Sequence, residues 1–133
     1  MLEINAAATA SLITSESDLA SSLSLEPQDQ YPQVLSTSRM IALMEIAASR
    51  VMRPLLQTGQ LSVGVGVNVT HLAATPLGAE ATATATFLGM EGKLYKFNIE
   101  AHDAGGLIGK GEHTRAIVDV ARLQQGATKR VSF

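Results

Sequence analysis

The 133-residue sequence contains no cysteine and no tryptophan. Disulfides, thiolate metal ligands and a cysteine nucleophile are therefore excluded. Aromatic residues make up only 4% of the chain, so a core must be built from Val, Ile, Leu, Met and Ala. No apolar run approaches the ~20 residues that a membrane-spanning helix needs. The N-terminus carries Glu3 in place of a basic leader region, which argues against a secretory signal and for a cytoplasmic location. Basic charge is missing from the first 38 residues, which hold Glu3, Glu16, Asp18, Glu26 and Asp29; all ten Lys and Arg residues lie from Arg39 onward. The net charge of −2 gives no footprint of a nucleic-acid binder. A local cationic patch that accepts phosphate stays possible. There is no Gly-rich phosphate loop, no GxSxG elbow and no pair of histidines at metal-ligand spacing.

The length favours a single domain over residues 1–133. Residues 4–14, NAAATASLITS, read as a first strand. Residues 15–35 are polar, contain Pro27 and Pro32, and read as a loop or lid; connections this long are more often functional or mobile than idle. Residues 38–53, SRMIALMEIAASRVMR, carry a helical period, with Ser36, Thr37 or Ser38 as N-cap and Pro54 as the stop. Spacing at about 100° per residue puts Met40, Ile41, Met44, Ala47, Ala48, Val51 and Met52 on one apolar stripe. Four strand patterns follow, at 61–73, 79–88, 93–103 and 107–121, with turns at Pro76 and Gly78, Glu91-Gly92 and Gly105-Gly106. Residues 124–133 read as a tail. One helix among antiparallel strands predicts an α+β fold, with the helix lying on the sheet.

Several polar groups fall where the pattern predicts apolar ones. Glu45 lies beside Ile41 and Met52 on the helical wheel and has no basic residue four positions away. It is either a flank residue that reaches solvent or a carboxylate in a half-apolar site. His71 ends the alternating run Val63, Val65, Val67, Val69, and is either a strand-end histidine bonded to backbone or an acid–base group. If the helix covers the valine face, Glu45 and His71 meet in one layer. Thr37 is either a helix cap or a hydroxyl positioned for chemistry. Gly64 and Gly66 mark sheet curvature or the close approach of a ligand, although strict alternation puts them on the face opposite His71 unless a bulge intervenes. His102 and His113 alternate with polar residues and read as solvated.

The stretches STSRMIALMEIAA, SVGVGVNVTHLAATPLG and IGKGEHTRAIVD resemble the hotdog-fold acyl-CoA thioesterases, most closely the fluoroacetyl-CoA thioesterase-like family. The resemblance runs from about Leu35 to Leu123. It implies a long helix wrapped by an antiparallel sheet, a homodimer, and active sites at or near the subunit interface. It places the family's catalytic threonine, glutamate and histidine on Thr37, Glu45 and His71. A glycine near the thioester falls on Gly64, a last-strand arginine on Arg115, and the aromatic gate on Tyr31. The implied activity is hydrolysis of a short or small acyl-CoA to free acid and CoA, with no metal or cofactor beyond the CoA of the substrate. Arg115, Lys110, Arg122 and the Lys129-Arg130 pair are the cations available for its phosphates. A non-catalytic hotdog protein that binds acyl-CoA or a small acid, as sensor or carrier, is the alternative. The aspartate–histidine motif of hotdog hydratases is not found.

Overall fold

A computed structural model describes residues 1–132; Phe133, the last residue of the expected tail, lies outside the described residues. Five strands form one antiparallel sheet: β1 (Ala7–Ile13), β2 (Gln60–His71), β3 (Glu80–Glu91), β4 (Leu94–Asp103) and β5 (Gly106–Asp119). Their order is β1-β3-β4-β5-β2. Helix α1 (Thr37–Met52) lies against the concave side, chiefly over β3 and β1. A second helix, α2 (Val120–Val131), follows β5 without a break. Among the described residues no helix is long and apolar enough to cross a membrane.

α1 begins where Ser36 accepts the Arg39 N–H in its side chain, the capping bond expected of that position. Its buried face is Met40, Leu43, Met44, Ala47, Ala48, Val51 and Met52. Leu43 takes the place predicted for Ile41, which is only partly buried. The opposing surface is unusually small. In β3, Ala81, Ala83 and Ala85 are fully buried, while Thr82, Thr84 and Thr86 alternate to the other side. Alanine on both partners at Ala47 and Ala48 lets the helix approach the sheet closely, and the larger Phe87, Phe97 and Ile99 fill the flanks.

The valines of β2 do not form the covered face that alternation predicted. β2 is an edge strand, and Val65 and Val67 are 56% and 40% exposed. The register against β5 runs Gly64↔Arg115 and then Gly66↔Thr114, so Val65 is an extra, bulged residue. The bulge moves Gly64 onto the side of the sheet shared with Val67, Val69 and His71, and turns Val63 to the other. The expected tail also differs: most of residues 124–133 belong to α2, because Asp119 accepts the Arg122 N–H and caps a new helix.

The segment 15–35 is fixed at both ends. Ala20 and Ser21 N–H groups bond to the carbonyls of Val34 and Pro32, and Leu35 N–H to that of Thr75. At its centre Asp18 is 5% exposed. Its carboxylate accepts from the Ser15 N–H at 2.8 Å, the Ser15 hydroxyl at 2.9 Å and Arg39 Nε at 2.8 Å. Burial alone would raise the Asp18 pKa, but the Ser15 and Arg39 donors overcome it and hold the carboxyl below its ordinary value. A carboxyl lowered by folding stabilises the fold above its unfolded pKa of about 3.9, and that gain disappears as pH falls through the lower folded value. Asp18→Asn is therefore expected to cost about 1–2 kcal/mol at neutral pH, since one partner is half exposed. Urea melts of both proteins at neutral pH and near pH 3 check this; the gap should shrink in acid.

Candidate active site

Two clusters of polar side chains flank α1. The first is at its N-terminus. Thr37 is the first helical residue, and its Oγ1 lies 2.8 Å from His71 Nδ1 at the end of β2. The N–H groups of a helix's first turn have no intrahelical acceptor, so this hydroxyl sits among free backbone donors. His71 Nε2 is buried and has no hydrogen-bond partner among the described residues. The helix cap is Ser36, and the Thr37 hydroxyl bonds His71 instead. A cavity of about 400 Å³ opens over this pair, with Tyr31, Pro32, Leu72 and Ala73 in its wall. Tyr31 is 49% exposed in this wall.

The second cluster is two turns further along. Glu45 is eight residues beyond Thr37, a rise of about 12 Å. Its Oε2 lies 3.2 Å from Arg115 Nη1 and 3.9 Å from His113 Nε2. Arg115 is 6% exposed, yet its guanidinium is well satisfied: Nε donates to Ser62 Oγ at 3.0 Å and Nη2 to the Ser62 carbonyl at 2.9 Å. Burial pulls the Arg115 pKa down, and the carboxylate of Glu45 opposes that. Gly64 closes the cluster from β2. A Cβ there would fall on Glu45 Oε2, so any larger residue would displace the carboxylate. The side chain of Glu45 remains 39% exposed, open on the side away from Arg115.

Within one chain, therefore, the site residues read from the sequence divide into Thr37, His71 and Tyr31 on one side and Glu45, Gly64 and Arg115 on the other. No hydrogen bond or ion pair joins Glu45 to His71 among the described residues, contrary to the expected contact. They lie about two helical turns apart along α1, His71 beside Thr37 and Glu45 beside Gly64. His113 is the residue that sequence reasoning missed. Expected on the surface, it is 1% exposed and contacts both Arg115 and the Gly66 carbonyl. The signal was its neighbour on the same strand: Arg115, two residues on in β5, shares its face, and both are buried. His102 is exposed as expected. Of the other cations, Lys110 is exposed on β5, and Arg122 and Lys129 line a groove along α2. No group of acidic residues and histidines suited to a metal occurs among the described residues.

Residues 14–121 match the family of fluoroacetyl-CoA-specific thioesterases, FlK. Among curated proteins, the fluoroacetyl-CoA thioesterase of Streptantibioticus cattleyicolor is 40% identical over 94 residues, 71% of this chain and 68% of that relative. A solved structure of the fluoroacetyl-CoA thioesterase FlK superposes with a TM-score of 0.93 at 30% identity, covering 99% of each chain. An FlK mutant solved with fluoroacetate and CoA gives 0.86 at 32% identity, over 92% of this chain and 99% of that one. A thioesterase superfamily member from Thermus thermophilus, at 22% identity, shares the fold with a TM-score of 0.85 over 97% and 93% of the two chains. The helix wrapped by a curled antiparallel sheet is thus the hotdog fold, and the chain belongs to the fluoroacetyl-CoA-specific thioesterase family.

Proposed function

We propose that this thioester hydrolase cleaves a short or small acyl-CoA to free acid and CoA, using Thr37, His71 and Glu45. The observation that carries the reading is the Thr37–His71 hydrogen bond together with the unpartnered far nitrogen of the same ring. If the Thr37 hydroxyl donates to Nδ1, Nε2 holds the ring's proton and needs an acceptor. A carboxylate is the acceptor that would complete a hydroxyl–imidazole–carboxylate chain, the arrangement by which a weak hydroxyl nucleophile or a water is activated.

A second copy of the chain would supply that carboxylate. β2 presents a free edge of twelve residues with no charged side chain between Gln60 and Thr70 and with exposed Leu61, Val65 and Val67. Such an edge is an association surface unless covered. Antiparallel pairing of two β2 strands about a two-fold axis near Val67 and Asn68 brings His71 of one copy opposite Gly64 of the other. Glu45 rests on Gly64. The dimer thus joins the two half-sites across its interface, twice by symmetry.

In this arrangement the thioester carbonyl enters beneath Tyr31. Glu45 and His71 act as general base and general acid, on water directly or on Thr37 as a transient nucleophile. The first-turn N–H groups of α1 receive the developing oxyanion. Arg115 directs Glu45 through its 3.2 Å hydrogen bond. The exposed Lys110, Arg122, Lys129 and Arg130 are available to the CoA phosphates. The reaction requires no metal or cofactor apart from the CoA of the substrate, and a cytoplasmic location accords with it.

Wild-type protein mixed with a panel of short acyl-CoAs is expected to release free thiol. His71→Ala and Glu45→Gln should each lower the rate by about 10²–10⁴-fold; His71→Ala should leave the thermal melt in place, whereas Glu45→Gln, which takes the counter-charge from Arg115, should lower it while the protein stays folded. Binding without thiol release would favour a carrier or sensor instead. Mixing the two inactive variants gives a second test. After subunit exchange, mixed dimers hold one intact site and should recover up to roughly a quarter of wild-type activity. No recovery, with exchange verified by mass, would place each site within a single chain.

A further inference from the structure

His113 is buried and titratable, and the hydrolysis described above gives it no part. Its two ring nitrogens are each held by a group of fixed role. Nδ1 lies 2.7 Å from the Gly66 carbonyl, which can only accept, so Nδ1 carries a hydrogen. Nε2 lies 3.1 Å from Arg115 Nη1, which can only donate, so Nε2 carries none. Both bonds form at once only in the neutral Nδ1–H tautomer. The surroundings favour that form. Burial pushes the His113 pKa down and the Arg115 charge adds to it, against the opposing effects of the Gly66 carbonyl and Glu45. The charged groups that face the ring are Glu45 from α1 and Arg115 from β5. From β4 it meets the Phe97 ring, at 6.4 Å between centroids, and from β2 only backbone.

The consequence falls on Arg115. Nη1 has two hydrogens; one goes to His113 and the other to Glu45 at 3.2 Å. Nε and Nη2 are taken by Ser62. Remove the His113 acceptor and one Nη1 hydrogen is left buried without a partner; the guanidinium is then held only from its Ser62 edge, and the direction of its bond to the carboxylate is less fixed. A protonated ring would do the same, by presenting a hydrogen to a hydrogen.

We infer that His113 is a positioning residue of the thioesterase site: as a neutral acceptor it locks the Arg115 guanidinium in the orientation that aims Glu45 at the reacting group. The inference rests on the catalytic reading of Glu45, and its test separates the two. In full-length protein, His113→Leu removes the acceptor and retains apolar bulk against Phe97, whereas His113→Gln restores a carbonyl acceptor at similar reach. The Leu variant is expected to lose about tenfold in kcat on a short acyl-CoA, the scale of one hydrogen bond to a charged group, with KM within about twofold. The Gln variant should regain most of it. Imidazole ¹⁵N spectra should show one ring in the neutral Nδ1–H form at neutral pH, its protonation displaced below the ordinary histidine range, and absent from both variants. Slowly exchanging Arg115 guanidinium protons should persist in wild type and Gln and vanish in Leu. Equal kcat in Leu and wild type, an equal deficit in Gln and Leu, or an imidazolium at neutral pH would overturn the inference. If wild type hydrolyses no thioester, the catalytic reading fails by itself, and the two NMR signals still decide whether His113 holds Arg115.

Discussion

The bulge at Val65 governs which parts of β2 can take part in chemistry. In a regular strand, Gly64 and His71 would face opposite sides, because side chains alternate with period two. One residue inserted between Gly64 and Gly66 reverses that parity midway. Upstream of it, Gly64 gives Glu45 room; downstream, Val69 packs against the core and His71 reaches Thr37. The same irregularity places the Gly66 carbonyl within bonding distance of His113, where a continuous ladder would have committed it elsewhere. Removing the extra residue would send either the glycine or the histidine to the outer face.

Close packing of α1 supplies the second requirement. Thr37 and Glu45 are both on this helix, so its position against the sheet sets both half-sites at once. The fully buried Ala81, Ala83 and Ala85 give it a shallow bed, and Ala47 and Ala48 match them. Met40 and Met44 fill the irregular gaps left beside them, a use suited to an unbranched and adaptable side chain. The N-terminal end is tied separately. Ser36 caps the helix, its own N–H bonds to the Asp18 carbonyl, and Asp18 in turn holds Arg39. The segment bearing Tyr31 is therefore anchored to the same turn that carries Thr37.

Much of this was legible in the sequence. The helix, the four strands after it and the small-residue alternation of β3 follow from periodicity alone. So does the anomaly of Glu45 and His71, since each breaks the pattern of its element. The bulge was legible only as two glycines in a strand, with no indication of where the register would slip. The edge position of β2 was not legible, because alternation cannot tell a face covered by a helix from one at the rim of the sheet. The valine run was read as core for that reason, and the contact between Glu45 and His71 inside one chain was read from it. His113 was missed because Glu112 and Thr114 flank it, and neighbours on a strand belong to the opposite face. Helix α2 was missed although Val120, Leu123, Ala127 and Val131 recur at helical spacing on one face; it is short, follows a strand directly, buries none of its residues and starts from the Asp119 cap.

The charge distribution explains why such a cluster can be kept next to an apolar core. A buried guanidinium without a counter-charge costs several kcal/mol, and a buried pair is tolerated only when its remaining hydrogens and lone pairs are satisfied. Arg115 meets that condition with Ser62, His113 and Glu45. Were His113 also charged, the buried group would carry a surplus positive charge with no further carboxylate at hand. With the ring neutral, the guanidinium and the carboxylate balance, and the Glu45 side chain remains 39% exposed.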